Sequence, residues 1–210
     1  VTIRVSVSTT GAQTPTQQDS SGPSISADGR YVAFDSVATN LVPGVTDFNS
    51  DVFVRDVTTS TTTRVSLVNQ DGPPESFAWA QSVSPSISGN GRYVAFTSGA
   101  EDLVVGDDNL RQDVFVHDRT TGITRRVSTS FDGVQGDGHA SAADISSSGF
   151  VVAYQSLADT IVPHDNNFAV DVFVADWRFV SAPPDVDLIR NGNLSDGMTR
   201  WATFATPDIS

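Results

Sequence analysis

The chain has 210 residues, 25 acids against 12 bases, and a formal net charge of −13. Every base is Arg, there is no Lys or Cys, and all the acids but Glu75 and Glu101 are Asp. Asp favours turns and caps whereas Glu and Lys fill helix surfaces, so this composition excludes a mainly helical protein and points to an all-β one.

The excess negative charge argues against nucleic acid and anionic lipid as partners and favours cations. No apolar run is long enough to span a bilayer. Without thiols there is neither a disulfide framework nor a thiolate metal site. The opening at Val1, with no Met and no signal-like apolar stretch, points to a start removed by processing.

In chain order, residues 2–8 carry the first copy of a marker, RVS at 4–6, and read as a strand. SIS at 24–26 runs through Asp28-Gly29 into YVAF at 31–34, and an Asx-Gly pair between β-rich runs is the strongest short-range hairpin signal. These are strands a and b. A loop of Asp, Asn, Gly and Pro precedes DVFV at 51–54, strand c, and a Thr-rich turn over 58–63 leads to RVS at 64–66, strand d. SIS returns at 86–88, YVAF at 93–96, DVFV at 113–116 and RVS at 126–128. A third round has DIS at 144–146, Ser148-Gly149, VVAY at 151–154 and DVFV at 171–174, with no RVS after it. Both the YVAF and the DVFV series are spaced by 62 and then 58 residues. Four antiparallel strands per unit, repeated with polar loops, predict β-propeller blades.

SADGRYVAF at 26–34, SGNGRYVAF at 88–96, DVFVRD at 51–56 and DVFVHD at 113–118 resemble the TolB-like propeller repeat of bacterial envelope and secreted proteins, over about residues 1–178. The resemblance implies an all-β fold: a β-propeller of three four-stranded antiparallel blades, at about 1–61, 62–122 and 123–178 within a unit of 1–180. It also implies an extracellular or cell-envelope location. A closed propeller needs four blades or more, so three are either part of a longer ring or half of a six-bladed ring made by self-association. In such a dimer the N-terminal d strand completes the last blade of another copy. Ala182-Pro183-Pro184 marks a linker at 181–187. LIRNGNLSDGMTRWATF at 188–204 resembles the opening of a galactose-binding-like carbohydrate-binding module, of which 188–210 would be a truncated start.

The loops between strands b and c hold the candidate site. Asp107, Asn109 and Asp113 stand at i, i+2 and i+6, and Asp165, Asn167 and Asp171 repeat that spacing. The first unit offers Asp47, Asn49 and Asp51 instead, with Val45 in place of the leading Asp. Alternate oxygen donors followed by a carboxylate at the next strand's start suit Ca²⁺, which takes six to eight oxygens in flexible geometry. The same residue types also make turns that bind no metal. Asp56, Asp118 and Asp176 follow strand c and are expected to accept turn hydrogen bonds; Arg30 and Arg92 follow the hairpin glycine and either pair with an acid on an adjacent blade or, as expected here, are solvated. Phe77 and Trp79 break the repeat in a loop and are candidate ligand-binding aromatics for a carbohydrate or protein, with packing inside the propeller the alternative. His117, His139 and His164 occupy different repeat positions, and no nucleophile elbow, zinc-protease or phosphate-loop pattern occurs, so no catalytic residue is assigned. The expected function is a non-catalytic, calcium-steadied binding or scaffold module at the cell surface. The rival readings are the propeller portion of a secreted polysaccharide- or peptide-degrading enzyme, and a structural protein self-assembling through open edge strands.

Overall fold

The structure, a computed structural model, describes residues 1–45, 48–67 and 81–179. Among the described residues eleven strands make three antiparallel sheets, and the fold is a partial β-propeller. The first blade is β1 (Ser20–Ile25), β2 (Tyr31–Ser36), β3 (Asp51–Asp56) and β4 (Thr61–Arg64), paired in sequence order. The second repeats it as β5 (Ser82–Ile87), β6 (Tyr93–Ser98), β7 (Asp113–Asp118) and β8 (Ile123–Arg126). Among the described residues the third holds β9 (Ala140–Ile145), β10 (Val151–Ser156) and β11 (Asp171–Asp176), the a, b and c strands read from its sequence. Among the described residues there is no helix long and apolar enough to cross a membrane.

Strand d differs from the sequence reading in register. Thr61, Thr62 and Thr63, assigned there to a turn, form β4 opposite Asp56, Arg55 and Val54, and RVS lies at the strand's end. Thr suits this edge because a β-branched chain packs on a pleated surface while its hydroxyl stays bonded. Residues 2–8, expected as a strand, have no ladder: the first bridge is Val7 with Gln13. That segment has the sequence of strand d without a c strand beside it.

In the first two blades strands b and c are buried on both faces, which is why YVAF and DVFV are nearly continuous apolar runs. Each blade pairs two rings across b and c: Phe34 on Phe53, Phe96 on Phe115, and Tyr154 on Phe173, with centroids 5.9, 5.8 and 5.6 Å apart. The core lies between the sheets. Val52, Val54 and Val65 of the first blade pack with Ile87, Val94 and Phe96 of the second. Val114, Val116 and Val127 of the second pack in the same way with Ile145, Val152 and Tyr154 of the third.

Polar joints repeat with the apolar ones. Ser82 N donates to Ser50 O and Ala140 N to Gln112 O, both at 2.7 Å. Ala27 N donates to Gly89 O and Gly89 N to Ser147 O, both at 2.9 Å. Each a strand carries a bulge at a left-handed residue, Gly22, Ser84 or Ala142.

Candidate functional site

In the second blade the b-to-c loop brings Asp107, Asn109 and Asp113 together, as their spacing predicts. Asn109 Nδ2 donates to Asp113 Oδ2 at 3.1 Å and to Gly136 O at 2.9 Å, while its Oδ1 accepts from Arg111 N at 2.8 Å. Asp113 begins β7, is fully buried, and also accepts from the Ser128 hydroxyl. The cation facing both carboxylates is Arg126, at the end of β8. Its Nη1 stands 2.9 Å from Asp107 Oδ1 and 4.0 Å from Asp113 Oδ2. The Asp107 contact has the distance of an ion pair without the angle of a hydrogen bond, leaving Asp107 Oδ1 and Arg126 Nε without hydrogen-bond partners.

The electrostatics follow from this crowding. Burial first, then repulsion from Asp113, pushes the Asp107 carboxyl up to about 7, against the attraction of Arg126. Burial also raises Asp113, opposed by the Ser128 hydrogen bond and by Arg126. The pair is short of positive charge by one.

The first blade is simpler because Val45 replaces the leading Asp. Asp51 accepts from Ser66 Oγ at 2.8 Å and pairs with Arg64 Nη2 at 2.8 Å. Asn49 has an interaction partner of its own, and Asp47 lies outside the described residues, as do Phe77 and Trp79. In the third blade Asn167 Nδ2 donates to Asp171 Oδ2 at 2.9 Å and its Oδ1 accepts from Ala169 N at 2.8 Å, copying Asn109. Asp165 and Asp171, however, have no guanidinium beside them among the described residues. Two residues of the site were therefore missed in the sequence reading: the Arg and the Ser of RVS. The signal was present, since Arg64-Val65-Ser66 and Arg126-Val127-Ser128 recur in step with Asp51 and Asp113, yet RVS was read only as a strand marker.

The Asp after strand c does more than accept turn hydrogen bonds. Asp56 accepts from Thr58 N at 2.9 Å and Asp118 from Thr120 N at 2.9 Å, as expected. Each also takes a two-pronged pair from the hairpin Arg of its own blade, correcting the reading of Arg30 and Arg92 as merely solvated. Arg30 Nε and Nη2 reach Asp56 at 3.1 and 2.7 Å, and Arg92 Nε and Nη2 reach Asp118 at 2.8 and 2.7 Å. These forks hold Asp56 well below the usual carboxylate range and Asp118 down to about 2. Phe150 takes the Arg position in the third hairpin. There Arg178 pairs with Asp176 instead and lies over the Phe150 ring, 4.5 Å from its centroid.

Of the histidines, His117 is buried and bonded to Thr124 Oγ1 at 3.0 Å, with burial lowering it to about 4. His139 Nδ1 accepts from Gln112 N at 3.0 Å. His117 is thus held within the second blade, and His139 where that blade meets the third. Among the described residues no group of three or more His, Asp or Glu side chains is placed to hold a metal ion.

No family model and no curated protein sequence matches the chain. Solved structures similar to it include a TolB-assigned protein of Agrobacterium tumefaciens, 18% identical with a TM-score of 0.47, over 77% of this chain and 47% of that one. The β-propeller domain of the Trilobed protease of Pyrococcus furiosus is 11% identical with a TM-score of 0.41, over 75% of this chain and 43% of that one. Oligogalacturonate lyase of Vibrio parahaemolyticus is 16% identical with a TM-score of 0.40, over 76% and 36%. The chain thus spans less than half the length of the solved structures it resembles.

Proposed function

We propose that the chain is a non-catalytic propeller module, a binding or scaffold element of a secreted or envelope protein. One observation carries this reading: the charged groups that recur with the repeat are spent on holding blades in shape. Asp56 and Asp118 are forked by Arg30 and Arg92, and Asp51 and Asp113 are bonded by Ser66 and Ser128 and faced by Arg64 and Arg126. A hydrolase needs an acid and a base left available to a substrate, whereas these carboxylates are already engaged. What such a module offers a ligand is shape and loop surface. Calcium belongs to the same reading at Asp165 and Asp171, whose hard oxygens lack a guanidinium neighbour among the described residues.

The test is to incubate the purified chain with soluble polysaccharides and with unfolded protein, following reducing ends and peptide release, while calorimetry follows binding. Binding without release is the expected result. Release that persists through repurification and disappears in a chain variant would establish the enzyme reading instead.

A further inference from the structure

Two loops on one edge of the array hold large apolar side chains out in solvent. The a–b hairpins bond to one another in a row, Ala27 N to Gly89 O and Gly89 N to Ser147 O, so the b-to-c loops and the d-to-a connections lie together on the opposite edge. There Val105 and Leu110, between β6 and β7, are 52% and 75% exposed, and Phe131 and Val134, between β8 and β9, are 59% and 60% exposed. The first loop belongs to the middle blade and the second crosses from it to the third, so neither lies at an end of the array. Polar bonds tie the two loops into one platform. Arg126 Nη2 donates to Gly106 O at 3.0 Å and its Nη1 to Gln135 Oε1 at 2.7 Å. Asn109 Nδ2 donates to Gly136 O at 2.9 Å, and Gln135 Nε2 donates to Asp108 Oδ1.

The fold does not require these side chains. The turn at 129–135 repeats the turn at 7–13: Val7 bridges Gln13 as Thr129 bridges Gln135, and Gly11 and Gly133 both have left-handed φ. Ser8 N reaches Ala12 O at 2.9 Å as Ser130 N reaches Val134 O at 2.8 Å. Thr9 and Ala12 stand there in the places of Phe131 and Val134. Val105 likewise takes the place of Pro43 and Pro163. Leu110 is the clearest case. Its φ is 57°, a conformation that Gly or Asn adopts readily and a bulky apolar residue adopts only at a cost. The bond from Arg111 N to Asn109 Oδ1 closes the turn around it. The same step, three residues before the strand-c Asp, is Phe48 in the first loop and Phe168, with a φ of 54°, in the third. A side chain both strained and unburied does not serve the fold and marks a contact surface.

We propose that this platform is a docking site for a cationic amphipathic segment of another polypeptide. The proposal rests on the binding-module reading and names where that module binds and what it takes. Charge selects the partner. Glu101, Asp108, Asp132 and Asp137 are exposed on the two loops, against Arg111 as the one exposed Arg there. That rim repels anionic lipid and nucleic acid. Three of the four apolar groups are aliphatic, so a sugar ring finds one aromatic face and no stack. A segment with apolar residues at i, i+3 and i+4 and Lys or Arg beside them meets both features. Its apolar side enters among Val105, Leu110, Phe131 and Val134, and its cations meet the carboxylates of the rim. The bonds of Arg126, Asn109 and Gln135 hold the loops before binding, so little ordering is lost on docking.

The experiment titrates a fluorescent helical peptide of Leu and Lys with the 210-residue chain and follows its anisotropy. Two control peptides carry Glu for every Lys, or Ser for every Leu. The Leu–Lys peptide should bind, and each control should bind at least about tenfold more weakly. Phe131→Thr with Val134→Ala installs the residues of the equivalent turn, and Leu110→Asn suits the left-handed step. Each variant should lower the affinity about tenfold, with the melting temperature held or, for Leu110→Asn, raised. The double variant keeps its shape because the turn at 7–13 already folds with Thr9 and Ala12. No binding of the Leu–Lys peptide, equal binding of the Ser control, or an affinity unchanged in either variant would overturn the proposal. Phosphatidylcholine vesicles form a further arm. Sedimentation of the chain with them that is lost in Leu110→Asn would make the occupant a bilayer and overturn the polypeptide assignment. Any of these failures leaves the scaffold reading with another face. Sugar or peptide release in the turnover assay would end that reading and leave these affinities in place, so the two fail separately.

Discussion

The ring of Tyr31 lies so close over the backbone of Gly91 in the next blade that no side chain fits at position 91, and Tyr93 bears the same relation to Gly149. Both glycines have left-handed φ, 71° and 82°, as their hairpin turns require. From the far side Arg119 donates to Gly91 O and stands 4.5 Å from the Tyr31 ring centroid, while Trp177 Nε1 donates to Gly149 O at 2.7 Å and meets Tyr93 edge-on at 5.2 Å. A tyrosine, a turn and an Arg or Trp thus fasten neighbouring blades.

Gly91→Ala is expected to cost about 2–4 kcal/mol, the sum of a left-handed Cβ penalty and displacement of a packed ring. Gly29→Ala has the same turn and a φ of 73°, but its nearest neighbour is Ile25 Cδ1 at 4.0 Å, so about 1 kcal/mol is expected. Urea unfolding at one fixed protein concentration measures both. Equal costs would mean that the tyrosine contact adds nothing.

Asp107 makes the fold weaken toward neutral pH. Its folded carboxyl sits at about 7, above the ordinary 3.8, so the folded state holds a proton that the unfolded chain releases. Stability from this group is fully present below about pH 4 and falls as pH rises to about 7, by roughly 1–2 kcal/mol once partial solvation is allowed for. Asp107→Asn should flatten that slope in unfolding curves taken across the window. An unchanged slope assigns it to other groups.

Asp118 acts in the opposite sense. Held down to about 2 by the Arg92 fork, it supports the fold above its ordinary 3.8 and loses that contribution as pH falls toward 2. Arg92→Ala should therefore remove much of the acid sensitivity of this blade as well as lowering stability at pH 7. Thermal unfolding at pH 2, 3, 4 and 7 separates the two effects. A loss of equal size at every pH would show that Arg92 acts through packing on Tyr93, whose ring centroid is 4.8 Å away.

The proposed calcium site at Asp165 and Asp171 is testable by stability. Millimolar calcium should raise the melting temperature of the chain, reaching about 2.7 kcal/mol of added stability when its concentration is a hundred times its dissociation constant. Chelator should reverse the gain, and Asp165→Asn should abolish it. A melting temperature indifferent to calcium and to chelator would remove the metal from the proposed function.

Much of this architecture is legible in the sequence because its local signals agree. Asp28-Gly29 and Asn90-Gly91 fix the hairpins, and the β-branched and aromatic runs YVAF and DVFV announce the strands beside them. The boundary of strand d was misplaced because Thr61 to Thr63 suit an edge strand and a turn equally well, and only the register opposite Val54 decides between them. The candidate loops were found by spacing, which brings Asn109 to Asp113 and Asn167 to Asp171. Spacing along one segment does not show that Arg126 arrives from a strand thirteen residues later to face Asp107 and Asp113. The partners of Arg30 and Arg92 were sought on an adjacent blade for the same reason: the two arginines reach Asp56 and Asp118 of their own blades across a b–c register that sequence does not display.

The 2.7 Å bonds from Ser82 N to Ser50 O and from Ala140 N to Gln112 O are one joint copied at a shift of one period. An array whose joints are interchangeable tolerates editing in whole periods: a cut at any phase of the cycle, followed by deletion or duplication of one unit, brings together two surfaces that already fit. Stability then follows a nearest-neighbour rule, one increment per unit and one per joint. Such a gene can lengthen or shorten its product without inventing a new contact.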